Sequence, residues 1–143
     1  MKAIVKTKIG DGFVEIRNMP EPKALKDKVK INVKYAGICG SDLHIYHNDI
    51  DIPINPPVII GHEFSGVIES IGENVEGWTT GERVVSETAY SYCGNCYNCI
   101  EGYYNLCDSR KTLGYWYNGV FAPHTIVPFE RMHKLPECVS FEE

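Results

Sequence analysis

The chain has 143 residues, 43% hydrophobic and 23% charged, the balance of an ordinary globular protein built on one hydrophobic core. Fourteen Lys and Arg against 19 Asp and Glu give a formal net charge of −5, which excludes the basic stripe of a nucleic-acid binder. No apolar run approaches the ~20 residues of a membrane helix, and Met1 to Lys6 lack the long apolar core of a signal peptide. A cytoplasmic protein without membrane contact is therefore expected, in which clustered cysteines stay reduced and read as metal ligands.

In chain order the pattern is mainly β. Ile4 and Val5, with Val14 and Ile16, flank a turn at Ile9-Gly10-Asp11-Gly12-Phe13 and read as a hairpin. Val29, Ile31, Val33 and Tyr35 alternate with Lys30, Asn32 and Lys34, which predicts a strand with one buried and one wet face. Ser41 to Tyr46 predicts a short helix with Ser41 or Asp42 as N-cap. Pro53, Pro56 and Pro57 make a loop that feeds Val58-Ile59-Ile60. Phe64 to Ile71 reads as a bent strand, Gly81 to Val85 as a shorter one, and Val120 to Val127 and Met132 to Leu135 as two more. A second helical turn is predicted over Tyr97 to Gly102. Short strands punctuated by Gly and Pro point to a barrel or sandwich. No G-x-G-x-x-G follows a strand, so the 143 residues hold no dinucleotide-binding fingerprint.

Cys93, Cys96, Cys99 and Cys107 form C-x2-C-x2-C-x7-C. Two-residue gaps let successive thiolates turn onto one ion, and the fourth closes the tetrahedron from a returning loop. Gly94, Asn95 and Asn98 suit the tight backbone this needs. Zinc is the expected metal. An iron–sulfur cluster is the rival, since ferredoxins open with the same run, but they continue with x3-C-P rather than seven residues and Asp108. A site with four protein ligands has no open position for chemistry, so by itself the lobe speaks for stability.

A second constellation joins Cys39-Gly40-Ser41-Asp42-Leu43-His44 to Gly61-His62-Glu63 across the proline-rich loop. Cys39 and His62 offer a soft thiolate and an imidazole, both zinc donors, at the ends of predicted elements. Either alone reads as a buried thiol or a structural histidine. Taken with Gly61 to Ile68, Gly81-Glu82-Arg83-Val84, the cysteine lobe and Gly119-Val120-Phe121-Ala122, the chain resembles the zinc-dependent medium-chain alcohol dehydrogenases nearly end to end. The branch it looks most like is that of the polyol and L-threonine dehydrogenases, on Cys39 to Tyr46 and Ser86-Glu87-Thr88.

The resemblance implies a GroES-like, partly open barrel with short helices and a zinc-binding lobe, spanning residues 1–143. It implies that Cys39 and His62 hold a catalytic zinc, with Glu63 a ligand or a near-ligand that exchanges with water. Ser41 would take the proton of the alcohol, His44 would be the outer relay member, and Asp42 would accept a hydrogen bond from His62 and fix its tautomer. Ser41 also reads as a helix cap and His44 as a solvent-facing helix end. His47, His124, His133 and Cys138 match nothing, and Tyr115-Trp116-Tyr117 is given no role.

In the family a further zinc ligand and an NAD- or NADP-binding Rossmann domain follow, so the catalytic zinc site is expected to be incomplete within residues 1–143, whereas the cysteine lobe has all its ligands. The chain is therefore expected to be part of a longer homo-oligomeric enzyme, with a small-molecule alcohol as substrate, and inactive alone. A non-catalytic zinc-binding interaction module is the alternative. A co-chaperonin would share only the barrel and have no use for metal ligands.

Overall fold

The computed structural model describes residues 1–49 and 51–143. Its strands are β1 (Lys2–Lys6), β2 (Val14–Asn18), β3 (Lys28–Gly37), β4 (Val58–Ile59), β5 (Glu63–Ile71), β6 (Arg83–Ser86), β7 (Ala89–Ser91), β8 (Lys111–Thr112), β9 (His124–Pro128) and β10 (Met132–Lys134). Two short helices, α1 (Gly40–His47) and α2 (Tyr97–Ile100), complete the regular structure with 3-10 turns at Tyr104–Leu106 and Phe129–Arg131. Among the described residues no helix is long and apolar enough to cross a membrane.

The expected mainly β architecture is what forms. Three open sheets run β2-β1-β4, β10-β6-β5-β3-β9 and β7-β8, with antiparallel pairing throughout. The β1–β2 hairpin pairs Ile4 with Ile16 as its sequence suggests. Val29, Ile31, Phe64, Ile68, Val84 and Val127 meet inside the five-stranded sheet and form the main core. A smaller cluster of Ile45, Val58 and Ile60 seats α1 against β4, and this contact fixes the height of the helix over the barrel.

Three sequence expectations give way. Lys30, placed on the wet face of β3, is buried, and Tyr35, placed on the buried face, is exposed. Bulges at Lys30/Ile31 and Val33/Tyr35 shift the register, and Glu21, on the connection from β2, reaches the face on which Lys30 stands. There Glu21 and Glu69 take its ammonium at 2.5 and 2.6 Å. Second, residues 120–123 do not join β9 but bond back to the chain before β5, Val120 N to Gly61 O and Phe121 N to Ile60 O. Third, the N-cap of α1 is Cys39, not Ser41 or Asp42; Asp42 sits one turn in and accepts the Cys39 N–H at 3.0 Å.

Candidate metal centres

The cysteine lobe is built by local geometry. Gly94 takes φ +76°, letting the chain double back between Cys93 and Cys96. Cys96 caps α2, Cys99 lies within it, and the following 3-10 turn delivers Cys107. The four sulfurs lie within 4.8 Å of one another. Cys93 Sγ is 3.9 Å from Cys99 Sγ and 3.6 Å from Cys107 Sγ. Tetrahedral thiolates at a Zn–S distance of ~2.3 Å would stand about 3.8 Å apart. The spacing thus fits one ion, leaves no room for a multi-iron cluster, and is far too long for a disulfide.

The electrostatics agree. Backbone N–H groups of Asn95 and Cys96 pull the Cys93 thiol down to about 6, while partial burial and the Cys96 thiol push Cys99 up to about 12. Sulfurs this close cannot all ionise without a compensating cation, and a divalent ion at their centre is what would let them.

One side chain ties the lobe to the barrel. The Arg131 guanidinium lies 4.7 Å from the Tyr92 ring and 4.5 Å from the Tyr104 ring and donates to Tyr92 Oη at 2.9 Å. Tyr104 Oη donates to Glu87 at 3.0 Å, and Glu87 also faces Arg131 and His133. These aromatic contacts flank Cys93 and Cys107, so they set where the lobe sits.

The second constellation is assembled by strand register. β3 and β5 pair Gly37 with Glu63, so Cys39, two residues beyond Gly37, arrives beside His62 and Glu63. Their ligand atoms lie within 4.8 Å of one another. A Cβ on Gly37 would stand 2.9 Å from Glu63 Oε2, so a larger residue there would push that carboxylate aside. Below His62 three glycine backbones stack: a Cβ on Gly114 would meet Gly61 O at 2.5 Å, and one on Gly119 would meet the same oxygen even closer.

His62 and Asp42 are both buried, 6% and 4% exposed. Asp42 Oδ1 and His62 Nδ1 face each other at 3.7 Å, and among the described residues neither has a hydrogen-bond partner. Burial pushes the Asp42 carboxyl up, against the pull of the Cys39 N–H, His62 and the Gly61 N–H. Two orphaned polar atoms at this depth are costly unless each finds its charge complement. A cation on Nε2 supplies it: the ring then keeps its proton on Nδ1, directed at Asp42. A thiolate, an imidazole and a carboxylate are also a donor set that suits zinc.

Ser41 Oγ stands 3.4 Å from His62 Nε2. His44, one turn further along α1, places Nδ1 2.8 Å from Asp49 Oδ1. The structure adds Tyr115, whose ring meets His62 edge-on with centroids 5.5 Å apart. Burial pushes its phenol up, with the Ser41 hydroxyl beside it pulling the other way. The aromatic run Tyr115-Trp116-Tyr117 is visible in the sequence, but nothing local marks which ring stands against His62, since Tyr115 lies 52 positions beyond Glu63 (115 − 63).

The remaining histidines face carboxylates, His47 at Asp11, His124 at Glu69 and His133 at Glu87. Glu21, Glu69 and His124 form a third group of donors, but the Lys30 ammonium already lies between its two carboxylates. Cys138 is exposed and lies outside these donor groups.

The alcohol dehydrogenase GroES-like domain model matches residues 25–137. A sorbitol dehydrogenase of Halalkalibacterium halodurans is 50% identical over 140 residues, covering 98% of this chain and 40% of the relative. An L-threonine 3-dehydrogenase of Pyrococcus horikoshii is 41% identical over 144 residues, covering 99% and 41%. A chain of Sinorhizobium meliloti 1021, assigned as a zinc-binding dehydrogenase and solved with NADP, superposes with a TM-score of 0.89 at 31% identity, covering 98% and 40%. The chain thus spans about two fifths of the length of these relatives. It belongs to the zinc-dependent medium-chain alcohol dehydrogenase family, as its GroES-like domain.

Proposed function

We propose that residues 1–143 supply the catalytic-domain part of an oxidoreductase that moves hydride between a secondary alcohol and NAD or NADP. The relatives named for sorbitol and L-threonine favour an alcohol flanked by other polar groups. The observation that carries the reading is the convergence of Cys39, His62 and Glu63 within 4.8 Å, with the Ser41 hydroxyl 3.4 Å from His62 Nε2.

Zinc held by Cys39, His62 and Glu63, or by water exchanging with Glu63, would act as a Lewis acid that lowers the pKa of the alcohol hydroxyl. The rest is asked of the chain's own side chains. Asp42 accepts the His62 Nδ1 proton and leaves Nε2 free for coordination. Ser41 takes the proton that the alcohol gives up and releases its own. His44, on the same face of α1 three residues on, carries it toward solvent. Tyr115 walls the site beside Ser41 and His62 and keeps water from the reacting carbon. The four-cysteine lobe holds a second, structural zinc. Binding of the nicotinamide falls to residues outside this chain, and the chain by itself transfers no hydride. A four-thiolate metal site fits a reducing compartment such as the cytoplasm.

The test is Cys39→Ala in the full-length protein, assayed with sorbitol and L-threonine and with both nicotinamides. Loss of a Lewis acid worth several kcal/mol lowers turnover by about a thousandfold. Retention of wild-type turnover contradicts the reading. A second reading, a non-catalytic zinc-binding interaction module, is favoured by Tyr97 and Ile100 on the lobe, 75% and 71% exposed. It predicts a full-length protein without dehydrogenase activity whose partner binding is lost on substituting those two residues.

A further inference from the structure

We propose that Asp49 is a positioning residue for the proton relay, holding His44 in the tautomer that leaves Nε2 free to take a proton. The inference deepens the dehydrogenase reading and rests on it.

At the end of α1, Asn48 adopts φ 54°, ψ 39°, and its N–H closes on His44 O at 2.8 Å. A left-handed residue at this position reverses the chain over the last turn of the helix. The reversal brings Asp49 Oδ1 to 2.8 Å from His44 Nδ1. A carboxylate only accepts, so the proton of a neutral His44 is held on Nδ1 and the lone pair is left on Nε2. That hydrogen bond, the largest influence on it, holds the Asp49 carboxyl below the usual carboxylate range.

The neighbouring charges leave this job to Asp49. His47, one turn further on, is engaged by Asp11 at 3.3 Å. Lys6 lies beneath the end of the helix and donates to Tyr46 O at 3.1 Å, making no contact with His44 among the described hydrogen bonds. His44 and Asp49 are about half exposed, 45% and 51%, so the pair adds little to stability. Its exposure is what a relay needs at its outer end, since the proton must reach water.

The test uses the full-length protein with ¹⁵N-labelled histidine, comparing wild type, Asp49→Ala, Asp49→Asn and His44→Asn. In Asp49→Ala the His44 Nδ1 signal moves from the protonated to the lone-pair position, and kcat for sorbitol or L-threonine falls about tenfold with KM unchanged. Asp49→Asn, whose amide oxygen still accepts from Nδ1, keeps the wild-type tautomer and restores most of kcat. His44→Asn lowers kcat at least as far and changes its pH profile. If His44→Asn does so while Asp49→Ala keeps both tautomer and kcat, the role of Asp49 is overturned and the relay stands. If His44→Asn leaves kcat and its pH profile unchanged, the relay falls, and the role of Asp49 falls with it.

Discussion

Lys6 is 1% exposed, and its ammonium donates to Gly10 O at 2.5 Å, Gly12 O at 2.6 Å and Tyr46 O at 3.1 Å. It joins the β1–β2 turn to the end of α1, the helix that carries Ser41 and His44. Lys6→Met keeps most of the buried stem and removes the three donors. Tyr46 O retains a second partner, the Gly12 N–H at 2.8 Å, so two carbonyls are orphaned rather than three. Each buried unpaired carbonyl costs about 1–3 kcal/mol, and the partial exposure of Gly10 and Gly12 lets water recover some of that. The net is about 3 kcal/mol, or a melting midpoint lower by about 9 °C for a chain of this size. Urea and thermal unfolding followed by circular dichroism measure it, with Lys2→Met, an exposed lysine on the same strand, as the control. A Lys6→Met loss no larger than that of the control would mean that the three carbonyls do not depend on the ammonium.

Two further outcomes follow from packing and from titration. Gly119→Ala places a Cβ 2.7 Å from Gly114 Cα and 2.8 Å from Ile60 O, backbone atoms that cannot swing away. The Gly61–His62 backbone must shift, so the variant loses about 1–3 kcal/mol of stability and the zinc bound by Cys39 and His62. The lobe zinc stays, which metal analysis of the full-length variant checks. Tyr90 stacks on Tyr117 with centroids 3.9 Å apart, and burial pushes its phenol up to about 12. A raised folded value for an acid means that the neutral form is favoured in the fold. Nothing is lost below the unfolded value near 10, and stability falls as pH rises from about 10 toward 12. Discounted for its exposed fraction, the loss approaches about 1–2 kcal/mol, and Tyr90→Phe is spared it. The gap in urea midpoint between the two proteins should widen from pH 8 to pH 11; a constant gap contradicts the assignment.

The parts of the molecule that sequence spacing makes legible are those that local geometry builds. C-x2-C-x2-C brings three sulfurs together within a single turn of chain, and alternation along β1 and β2 is enough to pair them. The junction of Cys39 with His62 is not local. It depends on the Gly37–Glu63 register across β3 and β5, which spacing alone does not reveal and which the family resemblance suggested. Lys30 reads as a surface residue, and nothing in the sequence marks Lys6 as buried, because a lone buried charge is prohibitive. Their partners come from residues 21 and 69 for the first, and from the carbonyls of 10, 12 and 46 for the second, so only the folded chain shows that the charges are met. Tyr115 escaped for a similar reason: an aromatic run carries no mark of which ring will stand against an imidazole. Asp49 escaped because its role depends on a backbone reversal at Asn48 rather than on a motif.

Zinc X-ray absorption with metal counting on the full-length protein decides whether this domain gathers two zinc sites of different character. About two zinc per chain are expected, one in a shell of four sulfurs and the other in a mixed shell of sulfur, nitrogen and oxygen, with only the second lost in Cys39→Ala. A single zinc per chain with purely sulfur coordination, unchanged by Cys39→Ala, would contradict this expectation.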